Sequence, residues 1–347
     1  MKKENTNRPP LESLACVNLD CDLYGQKGHD NLIVRKVYGK DKIRYLRCRL
    51  CQEEFSERKN TAFWNSKIRE LDAVSIAEHL SERCGIKQTA RLVKVDPSTV
   101  RRMNKKAGKH GQQFHDQEAQ GLEVTELQAD ERHGFAIKKG HPAWEAELYD
   151  PKSKFVLEHV QGARDEQLIR NLLEKGAERL KNRHDIALFT DGLHEYKSIF
   201  PEIFGKPYQP VRKGTNGRYP KEKYRIPRSA AHVQIVKNKT GGKLDSIEIR
   251  YSHGSQKRIE IGLKRLGYNV PNTSAIERRN GTARLMSAAQ VRKTLTFAKR
   301  ADAKEAMGWW CTTVYNWCRV NRSLRQRLPK PIGKKSLNKG HPLWQLA

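Results

Sequence analysis

Along the chain the hydrophobic positions change their period several times. Between Cys16 and Phe55 they fall in short runs: Leu32-Ile33-Val34 predicts one short strand and Lys42 to Arg47 a second. From Ile68 to Lys109 the spacing becomes helical. Val74, Ala77 and Leu80 recur on one face, and Gly85 marks the end of that helix. Gln88 to Val93 predicts a short second helix. Asp96 caps a third, with Pro97 at its first position, where a missing N–H costs nothing. This third helix is expected to bury Val100 and Met103 and to expose Ser98, Thr99, Arg101, Arg102, Asn104 and Lys105. A short helix, a tight turn and a basic polar helix make up what a helix-turn-helix presents to the major groove. Lys105 to Gly121 is polar and reads as a linker.

Beyond Val124 the pattern is α/β. Strands are predicted at Val124 to Asp130, Glu145 to Tyr149 and Lys154 to Val160, and a helix at Glu166 to Leu180. Asp185 to Thr190 then reads as a buried strand. Antiparallel strands, then a helix and another strand, suit an RNase H-like core. Residues 206–271 break this pattern, with 16 Lys or Arg against four Asp or Glu. His232 to Lys237 and Ser246 to Tyr251 predict a hairpin around Thr240-Gly241-Gly242, read as a basic insertion. Helices resume at Ser274 to Lys299 and at Asp302 to Asn321. The aromatics Trp309, Trp310, Tyr315 and Trp317 of the last are expected to pack a core or a partner.

Composition narrows the function. The formal net charge is +29, from 68 basic and 39 acidic residues, and so large an excess calls for a polyanionic partner such as nucleic acid. No apolar run approaches the ~20 residues of a membrane span, and Met1 to Pro10 lacks the apolar core of a secretory signal. The expected setting is a reducing cytoplasm, in association with the nucleoid of a prokaryotic cell. There, seven cysteines point to metal or free thiols rather than disulfides. Cys16 and Cys21 with Cys48 and Cys51 form two short-spaced pairs, the ligand set of one structural Zn2+ in a zinc ribbon. His29 lies between the pairs but four thiolates suffice. Cys311 and Cys318 share a helix face and read as core thiols, and Cys84 as a helix-end thiol.

Three acids stand where phosphodiester chemistry by two metal ions would use them. Asp130 ends a strand, Asp191 follows another, and Glu277 opens a helix. With 39 acids in the chain, spacing alone does not select these three. Their neighbours do. Thr190-Asp191-Gly192 follows an apolar strand, and Asp130-Glu131 ends the segment from Leu127. Thr273-Ser274-Ala275-Ile276-Glu277-Arg278-Arg279-Asn280 leads to Arg284 and to Arg292-Lys293-Thr294. Together these resemble the insertion-sequence-one family, a branch of the DDE transposases. Arg44-Tyr45-Leu46-Arg47-Cys48 running to Cys51 and Phe55 resembles that family's zinc ribbon. Tyr315-Asn316 with Arg322-Ser323-Leu324-Arg325 resembles the closing helix of many DDE transposases.

The resemblance implies an RNase H-like catalytic domain with Asp130, Asp191 and Glu277 as ligands of two Mg2+ ions, for which Mn2+ can substitute. It implies that Asn280 and Arg284 hold the acid or the DNA backbone, and that Arg278 and Arg279 contact DNA. Glu131 is expected to point to the opposite sheet face. Two features depart from compact members of the family: 85 residues separate Asp191 from Glu277, and His133 stands in place of an aromatic residue.

The architecture expected is multidomain: a zinc ribbon (1–62), an all-α helix-turn-helix (66–112), an α/β RNase H-like core (122–205), the basic insertion (206–271), and the last core helix with a helical tail (272–347). The function expected is a transposase acting on terminal inverted repeats of double-stranded DNA, as a homodimer or larger assembly because two ends must be cut together. The rivals are a non-catalytic DNA-binding regulator or domesticated transposase and a junction or repair nuclease on the same fold.

Overall fold

In the computed structural model, residues 8–138, 140–212, 218–291, 294–325, 327–332 and 335–337 are described. Met1 to Asn7, Arg292-Lys293 and residues 338–347 lie outside them, and where a helical tail is expected, Arg327–Ile332 and Lys335–Leu337 are instead two antiparallel strands.

The chain opens with a three-stranded antiparallel sheet, β1 (Leu32–Tyr38), β2 (Ile43–Cys48) and β3 (Glu54–Ser56), with β2 in the centre. So small a sheet buries little: its core is Leu32, Leu46 and Phe55 packed with Cys16, Cys21 and Cys48. A domain of this size needs covalent or metal cross-links to hold its shape. Arg58 joins it to the next module by reaching Asp41 at 2.7 Å and Glu70 at 3.1 Å.

Three helices follow: α1 (Glu70–Ser81), α2 (Ile86–Val93) and α3 (Pro97–Glu118). Their shared core is Ala73, Ile76, Leu80, Ala90, Val100 and Met103. The buried stripe of α1 is therefore offset from the expected one, and Val74 faces solvent. Gly85 does not end α1, which stops at Ser81; it precedes α2. The start of α3 is as expected, with the Asp96 carboxylate accepting from the Ser98 amide at 2.7 Å.

The expected linker at Lys105 to Gly121 is instead the second half of α3, a helix of 22 residues. Its stability is tertiary. Gly108 and Gly111 let the backbone of α8 (Ala301–Thr313) come so close that a Cβ at Gly108 would run into Ala306, and one at Gly111 into Thr313. His115, fully buried, closes the contact: one ring nitrogen meets the Leu157 carbonyl at 2.8 Å and the ring lies 5.5 Å from Trp309.

The rest is a mixed six-stranded sheet with helices on both faces. Its strands are β4 (Glu126–Arg132), β5 (Trp144–Asp150), β6 (Phe155–Gly162), β7 (Ala187–Thr190), β10 (Ala231–Thr240) and β11 (Lys243–His253), in the order β11-β10-β7-β4-β5-β6. A separate small ribbon pairs β8 (Lys206–Tyr208) with β9 (Lys223–Arg225). Strands β4, β5 and β6 form an antiparallel meander. β7 then runs parallel to β4, β10 parallel to β7, and β11 returns antiparallel to β10. Each parallel step needs a crossover, supplied by α4 (Glu166–Glu178) and α5 (His194–Phe204), which share one face. The other face carries α6 (Gln256–Leu266), α7 (Ser274–Met286) and α8. Coverage on both sides explains why β4, β5 and β7 are buried almost throughout. An antiparallel meander followed by two parallel strands on its β4 side is compatible with an RNase H-like core.

The segment expected as an insertion is not separate from this sheet. Val233 and Ile235 of β10 pack with Phe189 and with Ile259 and Leu263 of α6. Only the distal half of the β10–β11 hairpin leaves the sheet, with Lys237 to Leu244 exposed or half-buried. Asn316, beyond α8, clips the far edge: its amide donates to the Val156 carbonyl at 2.8 Å and accepts the Val156 N–H at 3.0 Å.

Candidate metal-binding active site

Strands β4 and β7 set the site. They pair in parallel with Gln128 opposite Phe189, so two residues further on Asp130 comes level with Asp191. Both carboxylates emerge at the carboxyl ends of adjacent parallel strands, where open α/β sheets place their ligands. Oxygens of Asp130, Asp191 and Glu131 lie within 4.8 Å of one another.

Each acid is oriented. The Asp130 Oδ1 accepts from the Glu131 amide at 2.9 Å and its Oδ2 from the Asn280 side chain at 2.7 Å. Asp191 Oδ1 accepts from the Leu193 amide at 3.0 Å. Glu131 Oε1 accepts from the Tyr196 hydroxyl at 2.5 Å and its Oε2 meets the Arg164 guanidinium at 3.1 Å. The sequence reading set Glu131 apart on the opposite sheet face. In the fold it is buried against Tyr196 of α5, yet at the strand end its longer side chain reaches around to Asp191.

Crowding three acids costs ionisation energy. Burial, then the charge of Asp191, pushes Asp130 up to about 6 and Glu131 up to about 7. Such a group is strained while empty and favourable around a divalent cation, which removes the repulsion. Hard carboxylate oxygens also match Mg2+. The donor set fits the metal that the sequence reading implies.

Glu277 stands nearby but outside this group. Its Oε1 accepts from Thr273 at 2.7 Å and is ion-paired with Lys237 of β10. Burial raises its pKa, but these two hydrogen bonds outweigh it and leave the carboxyl below its ordinary value. Its charge still contributes to the upward shift of Asp130.

Helix α7 is fixed to the sheet by polar contacts that its sequence does not reveal. Gln128 accepts from the Ile276 amide at 2.9 Å and donates to the Asn272 carbonyl at 2.9 Å. Asn280 also accepts from Arg132 at 2.8 Å, and Arg132 bridges Glu145 at 3.1 Å and Glu147 at 2.8 Å. Arg279 is buried and pairs with Glu147 at 3.0 Å, so it is not presented on the surface as expected for a DNA contact. Lys304 of α8 pairs with Glu145. Arg278 is exposed and Arg284 half-buried.

On α3, Ser98, Arg101, Arg102 and Lys105 are exposed and Thr99 is half-buried. Asn104 is instead buried against α8, its amide 3.4 Å from the Ala303 carbonyl, and Lys105 pairs with Asp302 at 3.0 Å. Ahead of these helices in the chain, the four expected cysteines converge. The Cys16–Cys51 sulfurs lie 3.6 Å apart and the Cys21–Cys48 sulfurs 4.0 Å apart. A tetrahedral Zn–S distance of ~2.3 Å puts sulfurs ~3.8 Å apart, so the set fits one zinc ion. The Asn31 side chain donates to Cys48 Sγ at 3.2 Å. Against the effect of burial, that bond and the Cys51 and Leu50 amides bring the Cys48 thiol down to about 7. His29 is exposed and outside the group.

Sequence reasoning missed Arg164, Tyr196 and Lys237. None lies in a recognisable motif, and each meets an acid only through the tertiary fold. No helix among the described residues is long and apolar enough to cross a membrane.

No family model matches the chain, and no curated protein matches it. Among solved structures it is similar to a pre-cleavage Mos1 transpososome, at 8% identity over 69% of this chain and 77% of that one. The TM-score of 0.19 is too low for that likeness to bear on function.

Proposed function

We propose that this chain is a DDE transposase of the insertion-sequence-one type, cutting element ends and joining them to target DNA. The observation that carries the reading is the convergence of Asp130, Asp191 and Glu131 at the ends of β4 and β7. Two Mg2+ ions held there would activate the attacking hydroxyl and stabilise the leaving oxygen of a phosphodiester.

The chain's own groups then have distinct tasks. Asp130 and Asp191 hold the ions from the strand ends, and Glu277 completes the set from α7 when Lys237 turns from it to a DNA phosphate. Asn280 orients Asp130, and Arg164 balances the charge of Glu131. The four-cysteine sheet is a zinc ribbon with one structural Zn2+. Helices α1 to α3 form a helix-turn-helix whose exposed Ser98, Arg101, Arg102 and Lys105, with Thr99, meet double-stranded DNA at the terminal repeats. The +29 charge of the chain supports such a partner. Two ends cut in concert require a dimer or a larger assembly.

The test is incubation with Mg2+ and a labelled fragment carrying the flanking inverted repeat, wild type beside Asp191→Asn. Nicking at the repeat boundary by wild type alone supports the reading. Equal binding by both with no cleavage, in Mg2+ and in Mn2+, replaces it with a non-catalytic DNA-binding regulator.

A further inference from the structure

Helix α7 has two working faces. Glu277 and Asn280, three residues apart, look toward the acids. Ala275, Arg278 and Thr282, three and four residues apart, line a separate cleft on another side of the helix. This cleft has a volume of about 600 Å3, and its other walls come from the β5–β6 turn and from the segment after α8.

Its lining is one-signed. Lys154, Arg278, Arg279, Arg319 and Arg322 contribute to the walls, and no acidic side chain does. Among the described residues no carboxylate forms an ion pair with Lys154, Arg278, Arg319 or Arg322. Asp150, behind the wall, spends its carboxylate on the Ser153 hydroxyl at 2.5 Å and on the Lys152 and Ser153 amides. Burial lowers the Lys154 amine below its ordinary value, and the Arg278 charge adds to the lowering while Asp150 opposes it.

Arg279 supplies an independent sign. It is 1% exposed, stacks its guanidinium 4.1 Å from the Tyr315 ring, and spends one nitrogen on Glu147. Its Nε and Nη1 are buried with no oxygen or nitrogen partner, and the Cys311 thiol, a weak acceptor, also lies against the guanidinium. Buried guanidinium donors so weakly paired in the wall of a cationic cavity are a standing cost that an anion entering it would reduce.

We infer that this cleft is a second phosphate-binding site, which takes backbone phosphates of a DNA segment lying across α7 from the acidic centre. A helix with its side chains is ~10–12 Å across, so one duplex can reach both faces. In identifying the ligand as DNA the inference rests on the transposase reading. Its chemistry, a phosphate held by arginine forks, does not.

The experiment uses the full-length, zinc-loaded protein in buffer without Mg2+. Arginines are modified with phenylglyoxal and each position is read by mass spectrometry, alone, with duplex DNA, and with inorganic pyrophosphate. The expected result is that duplex DNA slows modification of Arg278, Arg319 and Arg322 at least severalfold, equally in wild type and Asp191→Asn. In parallel, the folded variant Arg278→Ala/Arg319→Ala/Arg322→Ala should bind duplex with a log–log salt slope shallower by about 2–3 than wild type. A charge-matched control, Lys257→Ala/Lys264→Ala/Arg183→Ala on exposed positions elsewhere, should change it less. Protection by pyrophosphate without protection by DNA keeps the phosphate chemistry and overturns DNA as its source. No protection by either, or equal slopes in cleft variant and control, overturns the site. Protection by DNA here, together with no cleavage in the separate Mg2+ and Mn2+ assay, would count against the transposase reading and leave the cleft standing.

Discussion

Replacing Asp191 with Asn should make the metal-free protein more stable while abolishing its response to Mg2+. Asp130 rises from its ordinary 3.8 to about 6 and Glu131 from 4.5 to about 7, with burial first and Asp191 second among the causes in each. At ~1.4 kcal/mol per unit, the two shifts cost the empty fold at most ~6 kcal/mol above pH 7. The Asp191 charge accounts for a minor share, so Asp191→Asn should gain ~1–2 kcal/mol at pH 8. Both folded-state values lie above the unfolded ones, so between pH ~4 and ~7 the folded state holds more protons. Stability of the metal-free wild type therefore falls as pH rises through that window, then levels off. The variant should fall less. Urea denaturation in EDTA from pH 4.5 to 8, repeated with Mg2+, measures all of this. Wild type should gain stability from Mg2+ above pH 6 and the variant little. A variant less stable than wild type at pH 8 in EDTA would refute the claim that crowded carboxylates strain the empty site.

Three other outcomes follow from the packing. Gly111→Leu should cost at least ~2 kcal/mol by forcing α3 off Thr313, whereas Lys109→Leu on the exposed side of α3 should change stability by less than ~0.5 kcal/mol in the same denaturation assay. Arg132→Met should cost ~3–5 kcal/mol, because Glu145 and Glu147 would each lose a buried partner; thermal denaturation checks it. Cys48→Ser should reduce bound zinc from one per chain to near zero by metal analysis and unfold residues 8–62 in hydrogen exchange, leaving the six-stranded sheet protected.

Local chemistry made parts of this molecule legible in the sequence. The paired cysteines, the Asp96-Pro97 cap, the alternation of β5 and the apolar runs of β6 and β7 carry their signals within a few residues. Asp130 and Asp191 each end a strand that the sequence predicts, but it is the resemblance of their neighbouring residues to a known family that singles them out among 39 acids. What depended on distant partners was not legible. The second half of α3 reads as a linker because its buried positions are Gly108, Gly111 and His115, small or polar residues whose value lies in the close approach of α8. β10 reads as part of a basic insertion because its outer half is charged, while its inner half pairs with β7 across 40 residues of chain. Helix α5 carries its signal in the helical spacing of Tyr196, Ile199, Phe200, Ile203 and Phe204, although Pro201 interrupts the pattern. Asn104 reads as exposed from the helical pattern and Arg279 as a DNA contact from the family resemblance, and the fold buries both in polar contacts with α8 and with Glu147.

The central claim is that Asp130, Glu131 and Asp191, joined by Glu277, surround divalent ions. The most direct measurement replaces Mg2+ with Fe2+ in the DNA-bound protein and generates hydroxyl radicals with ascorbate and peroxide, mapping where the chain is cut. The account predicts cuts clustered next to 130, 191 and 277, lost in Asp191→Asn and suppressed by excess Mg2+. Cuts clustered elsewhere, or the same pattern in wild type and Asp191→Asn, would contradict it.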